Sequence, residues 1–403
     1  MASTVPKGVI PYLCRMDKSQ SLFDKKMIIL YSGAILFMAS FSMLLPELPN
    51  YLKGLNGGQY IGYIVGLFTM SALLSRLFSG KISDRVGRVV VMLIGSVVTT
   101  VCGLAYLMAS SVAIFLLIRF IHGMSTGFRP VGSSAFLTDV VPANRRGEAL
   151  GFLGIAGSVG MALGPVIGSY VTVEFGYTFL FVTSSAFGLI SFLITAQLPE
   201  SLENREKLSW KLINPFEGQL LDWSSWPSAA FLLPVSFAFG VFLTVSPDFV
   251  ESLGFKYKGL FNGIIVVFSI LMRVLAGKAS DKYGRVPLLR IGGGLLIVGM
   301  FLIGTATDVT SVCIGGAVYG MSVGINMPTI FAWTTDLAKP GKIGMALSTM
   351  LMSLELGIGA GAFLSGAYYQ NILERIPHTY YACTVAAVLA WVFILVYPSS
   401  RKQ

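Results

Sequence analysis

Two short stretches dense in charge carry much of the ionic chemistry open to this chain: GKISDRVGR, Gly80 to Arg88, and GKASDKYGR, Gly277 to Arg285. Each places an aspartate (Asp84, Asp281) four residues before an arginine (Arg88, Arg285). Each is followed, at equal distance, by a further aspartate, Asp139 or Asp336. Carboxylates and guanidiniums in this arrangement suit ion pairs that form and break. A second, sparser set sits within long apolar runs or at their borders: Glu47, Arg76, Arg119, His122, Arg129, Arg273 and Glu355. Ionisable groups at bilayer depth are costly and usually functional. Glu355 lies in SLELGIGAGAF, where apolar neighbours raise a carboxyl's hold on its proton, so it could take a proton from one side and release it to the other. Bond-making catalysis is not expected, since no nucleophile and base stand at helical spacing. With two histidines, and with Cys14, Cys102, Cys313 and Cys383 scattered, neither a metal site nor a disulfide framework is expected. No G-x-x-x-x-G-K-[ST] loop occurs, which argues against ATP drive. The expectation is therefore no enzyme, no cofactor and no metal.

The elements that must position these groups follow from composition. Of 403 residues, 54% are hydrophobic and only 12% charged, against about 25% charged in soluble domains. Mean hydropathy is +0.75. Long apolar runs reach the roughly 20 residues a helix needs to cross a bilayer, about twice the length of a barrel strand. Twelve spans are predicted, near 27–50, 59–79, 89–109, 112–140, 145–173, 177–198, 227–250, 259–279, 287–306, 310–336, 343–370 and 378–397. The expected organisation is a tail (1–26), a six-span bundle (27–198), a linker (199–226), a second six-span bundle (227–398) and a short tail (399–403). Most of the 29 lysines and arginines fall in the tails and alternate loops, whereas the opposite loops carry only Lys53, Lys256, Lys258 and Arg375. By the positive-inside rule both termini are cytoplasmic, and the net charge of +10 needs no nucleic acid to explain it. The short outer loops fit a bacterial inner membrane. Leu208 to Phe216 of the linker could lie along the membrane surface, as could the N-terminal tail around Tyr12, Leu13, Leu22 and Phe23; a disordered tail is the alternative.

The halves repeat at an offset of 197 residues. Gly62 meets Gly259, Arg76 meets Arg273, HGMSTG from His122 meets YGMSVG from Tyr319, and Gly164 meets Gly361. Parallel six-span repeats are one known plan of secondary transporters. With these residues in view, the chain resembles the major facilitator superfamily over all twelve spans. GKISDRVGR is similar to that family's signature between spans two and three, RFIHGMSTG (Arg119 to Gly127) to its fourth-span motif, and GSVGMALGPVIG (Gly157 to Gly168) to the fifth-span motif of its drug/proton antiporter branch. Val89 departs from the family, many members of which carry another basic residue there; Ala362 departs from the proline matching Pro165.

The resemblance implies an all-α integral membrane fold, two six-helix bundles related by a pseudo-two-fold axis. It also implies a cavity lined by spans one, four, seven and ten. Gly87 permits the tight turn into span three. By resemblance, Asp84, Arg88 and Asp139, with Asp281, Arg285 and Asp336, form charge latches that hold a closed cytoplasmic gate; alternatively they only fix topology and packing. Arg129, near the midplane, could hold a substrate carboxylate or phosphate or pair with a protein acid. Glu355 is expected to carry a coupling proton and to meet Arg129 across the halves, or merely to neutralise an interhelical arginine. Asn326 stands where the repeat would place a second Arg129. Glu47, on span one, and Arg119, on span four, read as outer-gate residues, Glu47 alternatively as a solvated one. His122 could titrate or simply pack. Asp248 and Glu251 read as solvated, and Arg76 and Arg273 as snorkelling to the inner surface. Tyr31, Phe37, Phe41, Phe128, Met327, Phe331 and Trp333 suit an amphipathic ligand, and equally plain packing. Gly157, Gly160, Gly164, Pro165 and Gly168 would let span five approach span eight closely.

The function expected on these grounds is alternating-access, proton-coupled efflux of a small amphipathic organic molecule by a monomer in a lipid bilayer. The alternatives are an importer or uniporter of a sugar or organic anion, and a lipid or lysolipid flippase.

Overall fold

The structure, a computed structural model, describes residues 23–142, 145–202, 205–207, 223–339 and 343–398. The expected surface segments before Phe23 and at Leu208 to Phe216 lie outside these residues. Thirteen α-helices follow in order: α1 (Lys25–Ser42), α2 (Leu48–Gly54), α3 (Ile61–Arg85), α4 (Arg88–Ala105), α5 (Val112–Val140), α6 (Arg146–Phe175), α7 (Tyr177–Thr195), α8 (Trp226–Ser252), α9 (Gly259–Tyr283), α10 (Arg285–Gly304), α11 (Val309–Leu337), α12 (Ile343–Tyr369) and α13 (Ile376–Val396). All but α2 belong to the twelve segments long and apolar enough to cross a membrane. They form two six-helix bundles, α1 and α3–α7, then α8–α13, without a sheet among the described residues.

Local signals explain the ends. Asp24 accepts from the Met27 N–H and Ser111 from the Ile114 N–H, while Asp308 and Ser311 close a capping box on α11. Gly87 and Gly284, at φ +151° and +93°, turn the chain from α3 into α4 and from α9 into α10. That backbone is open to glycine and strained for other residues. The first span, expected as one helix over 27–50, is broken. Helix α1 stops at Ser42, Pro46 interrupts the following turn, and Pro49 sits in the first turn of α2. Proline lacks the N–H an unbroken helix would need there.

The halves meet along two seams, α3 with α12 and α6 with α9. Each seam begins at the end of the molecule opposite the loops Gly80–Arg88 and Gly277–Arg285. There Gly62 lies against the Ala362 carbonyl and Gly366, and Gly259 against the Pro165 carbonyl. A side chain at either glycine would collide with backbone, so these positions set how near the halves approach. The glycine run of α6 serves another contact. Gly160, Gly164 and Gly168 face Ile35, Ala39, Ser42 and Met43 around α1 in the same half, and Gly157 touches only Met38. From the same run, it is Pro165 and Val166 that lie against Gly259 and Gly263 of α9.

Candidate functional site

The charged loops come first. Because Gly87 ends α3 abruptly, Arg88 begins α4 beneath the end of α5. Its Nε donates to Asp139 Oδ2 at 3.0 Å, and Nη1 pairs with Asp84. In the other half Arg285 Nε donates to Asp336 Oδ2 at 2.9 Å and Nη1 to Ser280 Oγ at 2.8 Å. The side chain of Asp281 lies outside the described residues. These pairs tie α4 to α5 and α10 to α11, each inside its own half. Arg88 and Arg285 thus meet the expected partners, Asp139 and Asp336, and each pair braces its own half.

The N-terminal brace has a further member that the sequence did not reveal. Glu200, just past α7, accepts from the Arg88 N–H at 2.8 Å and the Val89 N–H at 3.0 Å. Gly87 offers no side chain to cap α4, and the carboxylate supplies that cap from elsewhere in the chain, at the helix end where negative charge is favoured. Ser201 Oγ donates to Asp139 at 2.7 Å. The one available signal was an acid directly after a span, PE at 199–200, in a chain poor in acids.

The intramembrane charges sort differently from expectation. Arg129 is fully buried inside the first bundle, donating to Ser96 Oγ and, at 3.1 Å, to Thr195 Oγ1, with its guanidinium 5.0 Å from the centre of the Phe37 ring. Arg119 donates to the Ile64 carbonyl at 2.9 Å and sits 4.4 Å over Phe68. Hydroxyls, a carbonyl and ring faces stand in for a carboxylate at both. His122 meets Thr99 Oγ1 at 2.7 Å and the Tyr106 hydroxyl at 3.3 Å. All three are buried within the first bundle. Asn326 is buried, donating to Ser322 Oγ at 3.0 Å. Phe128 packs edge-on against Phe78, Trp333 against Tyr397, and Tyr31 near Phe152. One apolar cluster that spans both halves is Phe37, Phe41, Leu45 and Phe68 with Met38, Met161 and, from α8, Leu243.

Glu355 is not with Arg129. Arg76 Nη2 and Nε donate to Glu355 Oε1 at 2.7 and 3.2 Å, linking α3 to α12 across the halves. Arg273, its repeat partner, reaches the Gly154 carbonyl of α6 at 3.3 Å. Both arginines cross a seam instead of snorkelling. Counting about 1.5 Å per residue, Arg76 lies about 21 Å along α3 from Gly62. A carboxylate thus answers one arginine of the repeat, and a carbonyl the other.

At the opposite end lies a third group. Glu47 accepts from Ser169 Oγ at 2.6 Å, and that oxygen accepts from the Gly259 N–H at 2.8 Å. Lys258 Nζ is 3.0 Å from Glu251 and 3.9 Å from Glu47. Asn50 donates to Glu251 at 2.9 Å, Lys53 pairs with Asp248 at 2.8 Å, and Tyr369 donates to Asp248 at 2.8 Å. Lys256 and Tyr257 hold Glu174 at 2.9 and 2.8 Å. Asp248, expected in water, is 2% exposed. Most of these contacts join one half to the other.

The Major Facilitator Superfamily profile matches residues 30–303 and 258–403. The quinolone resistance protein NorA of Staphylococcus aureus (strain COL) is 24% identical over 365 residues, covering 87% of this chain and 92% of that protein. Multidrug resistance protein 2 of Bacillus subtilis (strain 168) is 28% identical over 302 residues, 71% of this chain and 74% of its own. Among solved structures, a D-xylose–proton symporter superposes with a TM-score of 0.76 at 19% identity, over 94% of this chain and 99% of that one. The human organic anion transporter MFSD10 gives 0.71 at 20%, over 93% and 100%. Two six-helix bundles meeting along paired seams, with a braced charged loop in each, accord with the profile match over nearly the whole sequence: the chain belongs to the Major Facilitator Superfamily, as a multi-pass membrane transporter of small organic molecules.

Proposed function

We propose that this transporter couples proton entry to export of a small amphipathic organic molecule, with the termini and charged loops on the cytoplasmic side. The observation that carries the reading is the Arg76–Glu355 pair: a carboxylate at bilayer depth, held by a guanidinium of the other half. Such a pair must loosen when the halves rock apart at the seam, and a proton on Glu355 lowers the cost of parting. Glu355 is thus the coupling site, with Arg76 rather than Arg129 as its partner. The buried Arg129, Arg119 and His122 hold α3, α4, α5 and α7 together behind it. The Phe41, Phe68 and Leu243 joint gives an amphipathic substrate an apolar wall, and resistance-protein relatives favour an export direction. In this reading the working unit is the monomer, each six-helix bundle moving as one body about the linker.

Everted vesicles test this. An imposed proton gradient should drive substrate accumulation in the parent, and Glu355→Gln should reduce gradient-driven transport about 100-fold while leaving substrate-gradient exchange within a few fold, the loss expected for one essential proton group. Unchanged gradient dependence in Glu355→Gln would end the proposal. Uptake by intact cells with no efflux would favour the importing alternative.

A further inference from the structure

The cluster at the outer end holds unequal numbers of charges. Three carboxylates, Glu47, Asp248 and Glu251, face two ammonium groups, Lys53 and Lys258. The neighbouring Lys256–Glu174 pair is balanced and does not relieve the excess. The surplus falls on Glu47. Asp248 has Lys53 at 2.8 Å, and Glu251 has Lys258 at 3.0 Å with Asn50 in support. Glu47 has Lys258 only at 3.9 Å, beyond a hydrogen bond, and one hydroxyl donor, Ser169. It is 3% exposed, and Lys258 is 5% exposed. An ionised carboxylate enclosed in this way lacks a counter-charge.

We infer that Glu47 is a proton-binding site of the outer gate, which closes with one proton taken from the outside medium onto the Glu47 carboxylate and opens by returning it to the same side. The carboxylate becomes a carboxylic acid, the cluster becomes neutral, and no other reactant enters. This proton is distinct from the transported one, because it is taken from and returned to the same side. The inference needs alternating access alone and does not depend on Glu355.

The groups facing Glu47 are Ser169 from α6, Lys258 and the Gly259 N–H at the start of α9, Glu251 from α8 and Tyr177 from α7. Burial raises the Glu47 carboxyl above the ordinary carboxylate range; Lys258 and Ser169 oppose this, and Glu251 adds to it. The sign follows. A carboxyl whose proton affinity is higher in the closed gate than in the open mouth favours closure at low pH. That advantage is lost as pH rises through the closed-state value. The window runs from the ordinary carboxylate range of the open mouth up to the raised value of the closed gate.

The charge count makes a prediction that a simple hydrogen-bonding role for Glu47 does not. Neutralising Glu251 frees Lys258 for Glu47 and balances the cluster, so Glu251→Gln should remove the proton requirement without touching Glu47. The test is a distance measurement between nitroxides at Met108→Cys and Val309→Cys, 77% and 41% exposed at the outer ends of the two halves, in nanodiscs, with the native cysteines replaced by alanine. On lowering the pH from 8 to 5 the parent's short-distance population should rise, by at most about tenfold per pH unit in the ratio of short to long. Glu47→Gln and Glu251→Gln should each stay short at both values. A parent distribution that ignores pH, or a Glu47→Gln or Glu251→Gln protein that shifts as the parent does, overturns the inference. Should Glu47→Gln fail to fold, Glu251→Gln decides alone. A defect confined to proton drive in Glu355→Gln, with the distance shift intact, would bear on the coupling site only.

Discussion

The two ends of the molecule use the same chemistry for different purposes. At the end opposite the charged loops, the outer end in the proposed orientation, Lys53–Asp248 and Lys256–Glu174 reach from one half to the other. At the loop end, Arg88–Asp139 and Arg285–Asp336 stay within a half. A contact between halves is made in one state of a rocking cycle and absent in the other, so its free energy shifts the balance between states. A contact inside a half persists through the cycle and adds only to that half's stability. Ion pairs that look alike in sequence therefore have different measurable consequences, and topology decides which.

The sharpest way to break this distinction is to obstruct the outer seam alone. Gly259 has no room for a side chain against the Pro165 carbonyl, a contact that exists only while the seam is closed. Overpacking costs about 1–3 kcal/mol. Because the cost falls on one state, Gly259→Val should lower the closed-to-open ratio about 5- to 150-fold. The nitroxide pair should read long distances, and transport should fall in step, with little change in melting temperature. A lowered melting temperature with an unchanged distance distribution would show that the seam is not state-dependent.

Arg88→Ala is the converse. It strands Asp139 and Asp84 within one half, with Arg88 13% exposed and Asp139 32% exposed at the side chain. Between the values for exposed and buried pairs, the expected loss of stability is about 1–3 kcal/mol. Arg285→Ala should behave alike. In both, the outer-end distance distribution should match the parent's. A shift of that distribution would mean that the braces also act on the balance between states, as latches of a closed gate would.

How far the sequence could be read follows from the same division. The twelve spans were legible because crossing a bilayer demands length and apolarity at every position. The repeat made the braces legible, since Arg88 and Asp139 recur as Arg285 and Asp336 at one offset. The turn at Gly87 followed from the residue type that tolerates such backbone, and Gly284 repeats it in the second half. The facing of α5 was not legible. Arg119, His122 and Arg129 sit on a helix surrounded by other helices, where no water marks one face as outward, so depth could be counted but direction could not. The partner of Glu355 was missed for this reason, because pairing was guessed by depth and the seam runs between α3 and α12. The outer cluster did leave a trace. The opposite loops held few lysines, and Lys53 and Lys258 stood level with Asp248, Glu251 and Glu47 in a chain with only 19 acids. Charges that are rare and level with one another are poor candidates for independent solvation.

Glu200 offers the smallest effect and the finest test of the comparison, because it belongs to the loop end yet comes from the segment that leads into the linker. Its carboxylate caps α4 through the Arg88 and Val89 N–H groups, and the same segment returns to the signature loop where the Glu206 N–H donates to the Arg85 carbonyl at 2.7 Å. If the cap is part of the brace, Glu200→Ala should cost about 1 kcal/mol, the ordinary value of a lost helix cap, and Glu200→Gln, which keeps an acceptor without the charge, should recover about half of it. Neither should alter the outer-end distances. The second half supplies a natural control. There, Arg290 donates to the Ile394, Leu395 and Tyr397 carbonyls, so the segment after its last span is held by a guanidinium on carbonyls where the first half uses a carboxylate on amides. Arg290→Gln should therefore lower melting by a similar amount. If Glu200→Ala instead changed transport without changing stability, the segment after α7 would have to be reassigned from a static cap to a part that moves.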